Sequence, residues 1–206
     1  NIATVGTDVM STDSIIEFTT DGADMDGMVV TANGDTSAGW GGFTTKSGRA
    51  DSSLFRLKLS GDSFENTWKL RVKHGAFLTS LMLDGAPGNT VFDRSTSSAG
   101  GSTAGSAAGK DFAVVGSDSG SIVATYLNPV ELTGDSVVGD LFAKLSLDFT
   151  GLSGGGLGKG TYYFTQDTAN AATALVPVAA VPLPAAGWML LAGLGGLFAA
   201  KRRQKA

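Results

Sequence analysis

The chain has 206 residues, of which 42% are hydrophobic and only 17% are charged, with 30 glycines, one histidine and no cysteine. This length suffices for one domain with a full hydrophobic core, and the absence of cysteine excludes disulfides, thiolate metal sites and a cysteine nucleophile. The formal net charge is −4, and removing four positive charges near the C-terminus leaves −8 on residues 1–200 (−4 minus 4), which argues against nucleic acid as a partner.

Short strands dominate the prediction for the first 168 residues. Apolar and polar residues alternate there with the period of two that is typical of half-buried β-strands. Turns rich in Gly, Asp and Asn, such as Asn33-Gly34 and Asp84-Gly85, separate the alternating stretches. We therefore predict an all-β domain over residues 1–168, a β-sandwich with jelly-roll-like topology. The predicted strands are 15–19, 28–32, 54–60, 67–73, 78–83, 112–115, 122–127, 141–149 and 162–166.

A second pattern begins after a linker predicted at residues 169–180. Residues 185–200 carry no charge, and as a short hydrophobic helix they would extend about 24 Å. Two prolines precede this stretch and a cluster of basic residues follows it, as expected of a stop-transfer signal with a cytoplasmic tail. A buried core helix is the alternative. The motif before the helix is Val181, Pro182, Leu183, Pro184 and Ala185, and the basic cluster is Lys201, Arg202, Arg203 and Lys205.

The motif, helix and basic tail of residues 181–206 together resemble the sorting signal of PEP-CTERM proteins, in the variant whose signature is Val-Pro-Leu-Pro-Ala. The resemblance implies processing by an exosortase, a membrane-embedded cysteine peptidase of Gram-negative bacteria that make exopolysaccharide. It also implies a precursor held in the inner membrane and a body delivered to the cell surface or the extracellular matrix. A signal peptide is expected to direct that export. Segments of the body, among them residues 21–32 and 160–170, loosely resemble domains carried by such proteins.

Five cations form the main candidate ligand-binding cluster of the body. If the strands at 54–60 and 67–73 are hairpin neighbours, these side chains project from one face of the sheet. The functional interpretation is an anion-binding face for acidic exopolysaccharide or lipopolysaccharide. The alternative is a solvated outer face whose charges prevent pairing between sheet edges. The five residues are Arg56, Lys58, Lys69, Arg71 and Lys73.

Two further features permit a functional and a structural interpretation each. Asp21, Asp24 and Asp26, followed by Gly27, offer several oxygens and a turn, which suits calcium. The spacing is not that of an EF-hand, so an Asp-rich turn between strands is the alternative. Trp40 lies among glycines and is either a platform for sugar stacking or a partly buried aromatic residue at the rim of the sheet.

No residue of the chain is predicted to be catalytic, and calcium is the only candidate cofactor. His74, without a second histidine or a cysteine as partner, is expected to be an exposed turn residue. We therefore predict a non-enzymatic surface or matrix protein, self-assembling and biofilm-associated, with residues 15–19 as the strand exchanged between subunits. A carbohydrate-binding adhesin for acidic exopolysaccharide is the alternative. An enzyme such as a glycosidase or lyase would need two carboxylates facing each other in a cleft.

Overall fold

The computed structural model describes residues 2–5, 8–17, 20–95, 109–116, 122–134 and 140–178, and in these ranges the chain consists almost entirely of β-strands and turns. A short 3₁₀ helix at Ala86–Gly88 is the one exception among the described elements. The strands are β1 (Ile2–Val5), β2 (Met10–Thr12), β3 (Ile15–Glu17), β4 (Val29–Ala32), β5 (Thr36–Thr44), β6 (Ser47–Asp51), β7 (Phe55–Ser60), β8 (Trp68–Val72), β9 (Ser80–Asp84), β10 (Thr90–Asp93), β11 (Ala113–Val115), β12 (Val123–Leu132), β13 (Leu141–Asp148), β14 (Gly160–Thr165), β15 (Asp167–Ala171) and β16 (Val176–Pro177).

All of these strands join one large, mainly antiparallel sheet. Its main path runs β11-β14-β8-β7-β6-β5-β4-β9-β13-β10-β15-β3. Strand β12 pairs with β13, and the N-terminal strands β1 and β2 run parallel to β12. The sheet curls, so that strands from both halves of this path contribute side chains to one core. The predicted all-β, sandwich-like fold class is confirmed.

Strands β4 to β8 form an uninterrupted antiparallel meander. In its last hairpin, Leu57 pairs with Leu70 and both side chains are buried, whereas the flanking pair Lys58 and Lys69 lies on the opposite face. This alternation follows from the period of two along each strand. Burial of a leucine side chain contributes about 1.5–3 kcal/mol, so the inner face fixes the position of the outer one.

Aromatic rings fill the centre of the main core. The ring of Trp68 lies 5.3 Å from that of Trp40 and 5.8 Å from that of Phe164, which in turn lies 5.3 Å from Phe112. The indole N–H of Trp68 donates to the carbonyl of Gln166 at 2.8 Å, so its polar atom is satisfied although the residue is buried. These contacts fasten β8 to β14 and to the chain beyond it.

Residues 169–178, part of the predicted linker at 169–180, belong to the fold, which corrects that prediction. Strand β15 pairs with β10 and β3, and β16 pairs with β2. Ala169, Ala171 and Leu175 are buried in a second, smaller core cluster that also contains Met10 and Ile15. The sequence suggested a linker because the small apolar residues of this segment do not alternate with polar ones. In the structure they pack against the N-terminal strands.

The predicted sorting signal at 181–206, including its hydrophobic helix and basic tail, lies outside the described residues. Within the ranges that the structure does describe, no helix combines the length and hydrophobicity needed to cross a membrane.

Candidate functional site

A groove of about 420 Å³ lies on the outer face of the β7–β8 hairpin and the adjoining start of β14. We call it the basic groove, because five of the side chains that line it are cationic. Four of them belong to the cluster predicted from the sequence, and the fifth, Lys159, does not. The groove is lined by Arg56, Lys58, Lys69, Arg71, Val72, Lys159, Gly160 and Thr161.

The register of the sheet places these cations side by side. Arg56 pairs with Arg71 and Lys58 pairs with Lys69 across the hairpin, as the hairpin hypothesis required. On the next strand Arg49 pairs with Lys58 and is exposed, so it extends the basic surface. The sequence interpretation missed Arg49 because its glycine-rich surroundings gave no clear strand pattern. The signal in the sequence was the alternation of the charged Arg49 with the apolar Ala50, which is buried in the structure.

Lys73, the fifth predicted cation, does not line the groove. Its ammonium group lies 2.6 Å from Oδ1 of Asp51 and also donates to the carbonyl of Ser52. The guanidinium group of Arg56 lies 2.5 Å from Oδ2 of the same carboxylate. Partial burial acts to raise the pKa of Asp51, but the hydrogen bonds from Lys73 and Arg56 outweigh burial and lower it. Asp51 therefore neutralises one end of the groove.

The remaining cations have no ion-pair partner among the described residues. They are Arg49, Lys58, Lys69, Arg71 and Lys159. Two cross-strand pairs among them, Arg49 with Lys58 and Lys58 with Lys69, are thus like-charged, and like charges directly opposite each other are destabilising. Strands β6, β7 and β8 each have a neighbour on both sides. Protection of a sheet edge therefore does not explain these charges.

Two exposed aromatic rings flank the row of cations. The ring of Phe43 is contacted by the charged groups of Arg49 and Lys58, each 5.0 Å from its centroid. At the other end, the ammonium group of Lys69 lies 5.8 Å from the ring of Tyr163. Cation–π contacts of this kind hold a charge in place while leaving its outer side open to an anion.

Trp40 is buried, with 3% of its surface exposed, which excludes it as a platform for sugar stacking. Its indole N–H donates to the carbonyl of Gly22 at 2.8 Å. A Cβ atom at Gly48 would lie only 2.1 Å from the same indole nitrogen, so glycine at this position allows the ring to enter the core. Gly48 therefore serves the packing of Trp40.

Two of the three aspartates of the calcium candidate, Asp21 and Asp24, cap their own turn. Oδ2 of Asp24 accepts the backbone N–H of Asp21 at 2.8 Å, and Oδ1 of Asp21 accepts that of Ala23 at 2.9 Å. Burial, together with the adjacent Asp21 carboxylate, raises the pKa of Asp24. Across the described ranges, no three acidic or histidine side chains are grouped so that they could hold a metal ion. The capping role thus replaces the calcium site considered from the sequence.

Other groups with catalytic potential lie away from the groove. His74 is exposed in the turn after β8, as predicted. Asp167 is buried, and burial raises its pKa to about 7 although Ser63 and Thr168 donate hydrogen bonds to it. None of the described residues that line the basic groove is an Asp or Glu.

Comparison of the chain with protein-family models, with curated proteins and with solved structures gives no match.

Proposed function

We propose that this chain is a non-enzymatic surface protein whose β-domain binds acidic polysaccharide in the basic groove. One observation carries the proposal: Arg49, Lys58 and Lys69 face one another across interior strands, and among the described residues no carboxylate forms an ion pair with them. Such an arrangement costs stability in the free protein. A polyanion would relieve the repulsion, so the cost is recovered when ligand binds.

The lining of the groove favours binding over catalysis. Hydrolysis of a glycosidic bond generally uses two carboxyl groups about 5–10 Å apart on either side of the bond. The described groove offers cations, backbone and the hydroxyl of Thr161 instead. This composition suits retention of an anionic chain.

The location of the protein is proposed from residues 181–206. Their resemblance to a PEP-CTERM signal supports export, recognition by an exosortase and a final position at the cell surface or in the matrix. An acidic exopolysaccharide would then lie in the same compartment as the groove. Deletion of residues 181–185 is expected to leave the body in the inner membrane, as fractionation would detect. Normal surface delivery of that deletion variant would contradict the sorting proposal.

The binding proposal is tested with the full chain in a non-ionic detergent. Because the basic tail would itself attract polyanions, all variants carry Lys201→Gln, Arg202→Gln, Arg203→Gln and Lys205→Gln, and we call this background the tail-neutral protein. Titration with polygalacturonate should show binding that weakens between about 0.1 and 1 M NaCl, where the Debye length falls from about 10 to 3 Å. Uncharged dextran should not bind.

A matched pair of double variants localises the binding. Lys58→Gln with Lys69→Gln should weaken binding roughly 4-fold to 25-fold, if each exposed charge contributes twofold to fivefold. Lys73→Gln with Lys144→Gln removes the same charge, but each of these lysines already pairs with an aspartate, at 2.6 and 2.8 Å. That control should change the affinity less than twofold. Equal losses in both variants would contradict the groove as the site.

Self-assembly is the second candidate function, and the ends of the sheet support it. Along the described path β3 and β11 are the terminal strands, and Ile16 on β3 is 67% exposed. Pairing of one end with the other end of a second molecule is a head-to-tail contact, which grows a filament where the rotation between neighbouring molecules does not close a ring.

A point substitution tests assembly more cleanly than removal of residues 1–19, because that deletion also takes Met10 and Ile15 from the smaller core cluster. Ile16→Lys should abolish filaments seen by light scattering and microscopy. The control Ser14→Lys, which adds the same charge at an exposed position outside the strands, should leave them intact. A parent protein that stays monomeric would contradict assembly.

A further inference from the structure

The most closely spaced row of unpaired cations on the basic surface runs across the strands, from Arg49 beside the basic groove to Lys58 and Lys69 within it. Register pairs connect Arg49 to Lys58, Lys58 to Lys69, and Lys69 to Tyr163. Neighbouring strands lie about 4.7–4.9 Å apart, so the three cations start from backbone positions about 10 Å apart from first to last. Phe43, at a bulge in β5, extends the row by one strand. We call Arg49, Lys58 and Lys69, together with the rings of Phe43 and Tyr163 at the two ends, the transverse row.

The other directions in the groove either include a neutralised charge or space their cations more widely. A second row of register pairs also crosses the strands, from Asp51 through Arg56 and Arg71 to Thr161. In this row Asp51 neutralises Arg56, and Thr161 carries no charge.

Along β8, successive cations on one face are about 6.6–6.8 Å apart, and the third of them, Lys73, is paired with Asp51. On the diagonal, Lys58, Arg71 and Lys159 are separated by about 7–8 Å at each step. A polyanion with closely spaced charges therefore meets unpaired cations at the shortest intervals when it lies perpendicular to the strands.

Exposed rings mark both ends of the transverse row. Phe43 is 42% exposed and Tyr163 is 39% exposed, and each lies against cations of the row. A sugar ring presents an apolar face of C–H groups, for which an aromatic ring is a suitable surface. The row thus combines charges at its centre with stacking surfaces at its ends.

We infer that the transverse row binds a linear polyanion that carries one carboxylate on every sugar ring, laid across β6, β7 and β8. This inference rests on the proposed function and adds the class of polymer. One sugar ring advances a chain by a distance similar to the spacing between two strands, so consecutive carboxylates meet Arg49, Lys58 and Lys69 in turn. A polymer with a carboxylate on every second ring meets only the outer two and passes over Lys58.

Two polymers distinguish these cases in the tail-neutral protein. Polygalacturonate has a carboxylate on each ring, and hyaluronan has one on every second ring. They are compared at equal carboxylate concentration and with equal numbers of carboxylates per chain. The parent should bind polygalacturonate about twofold to fivefold more tightly, the contribution of one exposed charge.

The decisive comparison is between Lys58→Gln and Arg71→Gln. Both remove one unpaired cation from the same groove, but only Lys58 lies in the transverse row. Lys58→Gln should weaken polygalacturonate about twofold to fivefold and leave hyaluronan unchanged, which abolishes the preference. Arg71→Gln should affect both polymers to the same extent and keep the preference.

A pair of aromatic variants tests the ends of the row. Tyr163→Ala should weaken polygalacturonate about twofold to fivefold. The control is Phe64→Ala, because Phe64 is also exposed and also lies under a lysine, Lys110, at 4.6 Å, but is not among the residues of the row. Unchanged thermal melting of each variant verifies that the fold is intact.

The outcomes separate this inference from the proposal on which it rests. If Lys58→Gln weakens both polymers equally while binding remains salt-dependent, the spacing inference is overturned and polyanion binding stands. If neither polymer binds the tail-neutral protein, both are overturned. Loss of the preference in Lys58→Gln alone supports the transverse row.

Discussion

On the hairpin β7–β8, Leu57 and Trp68 lie in the core with none of their surface exposed, while the neighbouring Lys58 and Lys69 lie on the outer face. The same backbone hydrogen bonds hold both faces, so differences between them come from the side chains. The inner face gains free energy from burial and ring contacts. The outer face loses some through like-charge repulsion. The comparison indicates that the inner face determines stability and that the outer face is available for binding.

The largest effect is expected at the centre of the inner face. Trp68→Ala should lower the free energy of unfolding by about 3–5 kcal/mol, because it leaves a cavity beside Trp40 and Phe164 and removes the donor to Gln166. Urea denaturation measures the change. Lys69→Gln, one residue further along the strand, should stay within about 0.5 kcal/mol of the parent. Similar losses in both variants would show that the two faces do not differ as proposed.

Asp167 is a titratable side chain that is buried inside the protein, so its contribution to stability depends on the pH. Burial and the nearby Asp62 raise the pKa of Asp167 to about 7, against the lowering effects of Ser63, Thr168 and Lys110. Between about pH 4 and pH 7 the folded state therefore binds more protons than the unfolded state. The free energy of unfolding should fall as the pH rises through this window, by at most about 1.4 kcal/mol per pH unit from this group.

Asp167→Asn should remove that slope, since asparagine does not ionise and its oxygen can accept the same bonds from Ser63 and Thr168. Urea denaturation at pH 4.5, 6 and 8 compares the two proteins. Asp148→Asn is the control: the hydrogen bonds of Thr150 lower the pKa of Asp148, so its stabilising contribution is present above about pH 4 and is lost only as the pH falls below that value. It should therefore add no slope between pH 4.5 and 8. Parallel pH curves for the parent and Asp167→Asn would refute the assignment.

The smallest effect is expected on the outer face, at the acid that neutralises Arg56. Asp51→Asn should cost at most about 1 kcal/mol of stability, because its ion pairs are largely exposed. In the tail-neutral protein it should strengthen binding of polygalacturonate about twofold to fivefold, because Arg56 becomes free for an anion. Asp84→Asn removes an acid that pairs with Lys144 at 2.8 Å, outside the groove. It should not strengthen binding, and an equal gain there would indicate a general effect of charge.

Much of the hairpin could be predicted because its pattern is local. The apolar residues Leu57 and Leu70 alternate with cations along each strand, so both the strands and their two faces follow from the sequence. Strands β5 and β6 escaped prediction because glycines at 39, 41, 42 and 48 interrupt the alternation. Gly48 makes room for Trp40 in the core, a contact between residues that are not adjacent in sequence.

The all-β class, the alternation of inner and outer faces and the four cations shared by the hairpin follow from the amino-acid sequence, because a period of two depends only on neighbouring residues. The tertiary structure alone decided that Arg49 and Lys159 join the basic surface, that Asp51 withdraws Lys73 from it, and that residues 169–178 complete the sheet. These outcomes depend on which strands become neighbours and in what register. Pairing between distant segments is selected by the burial of the whole core, and no local pattern in the chain records it.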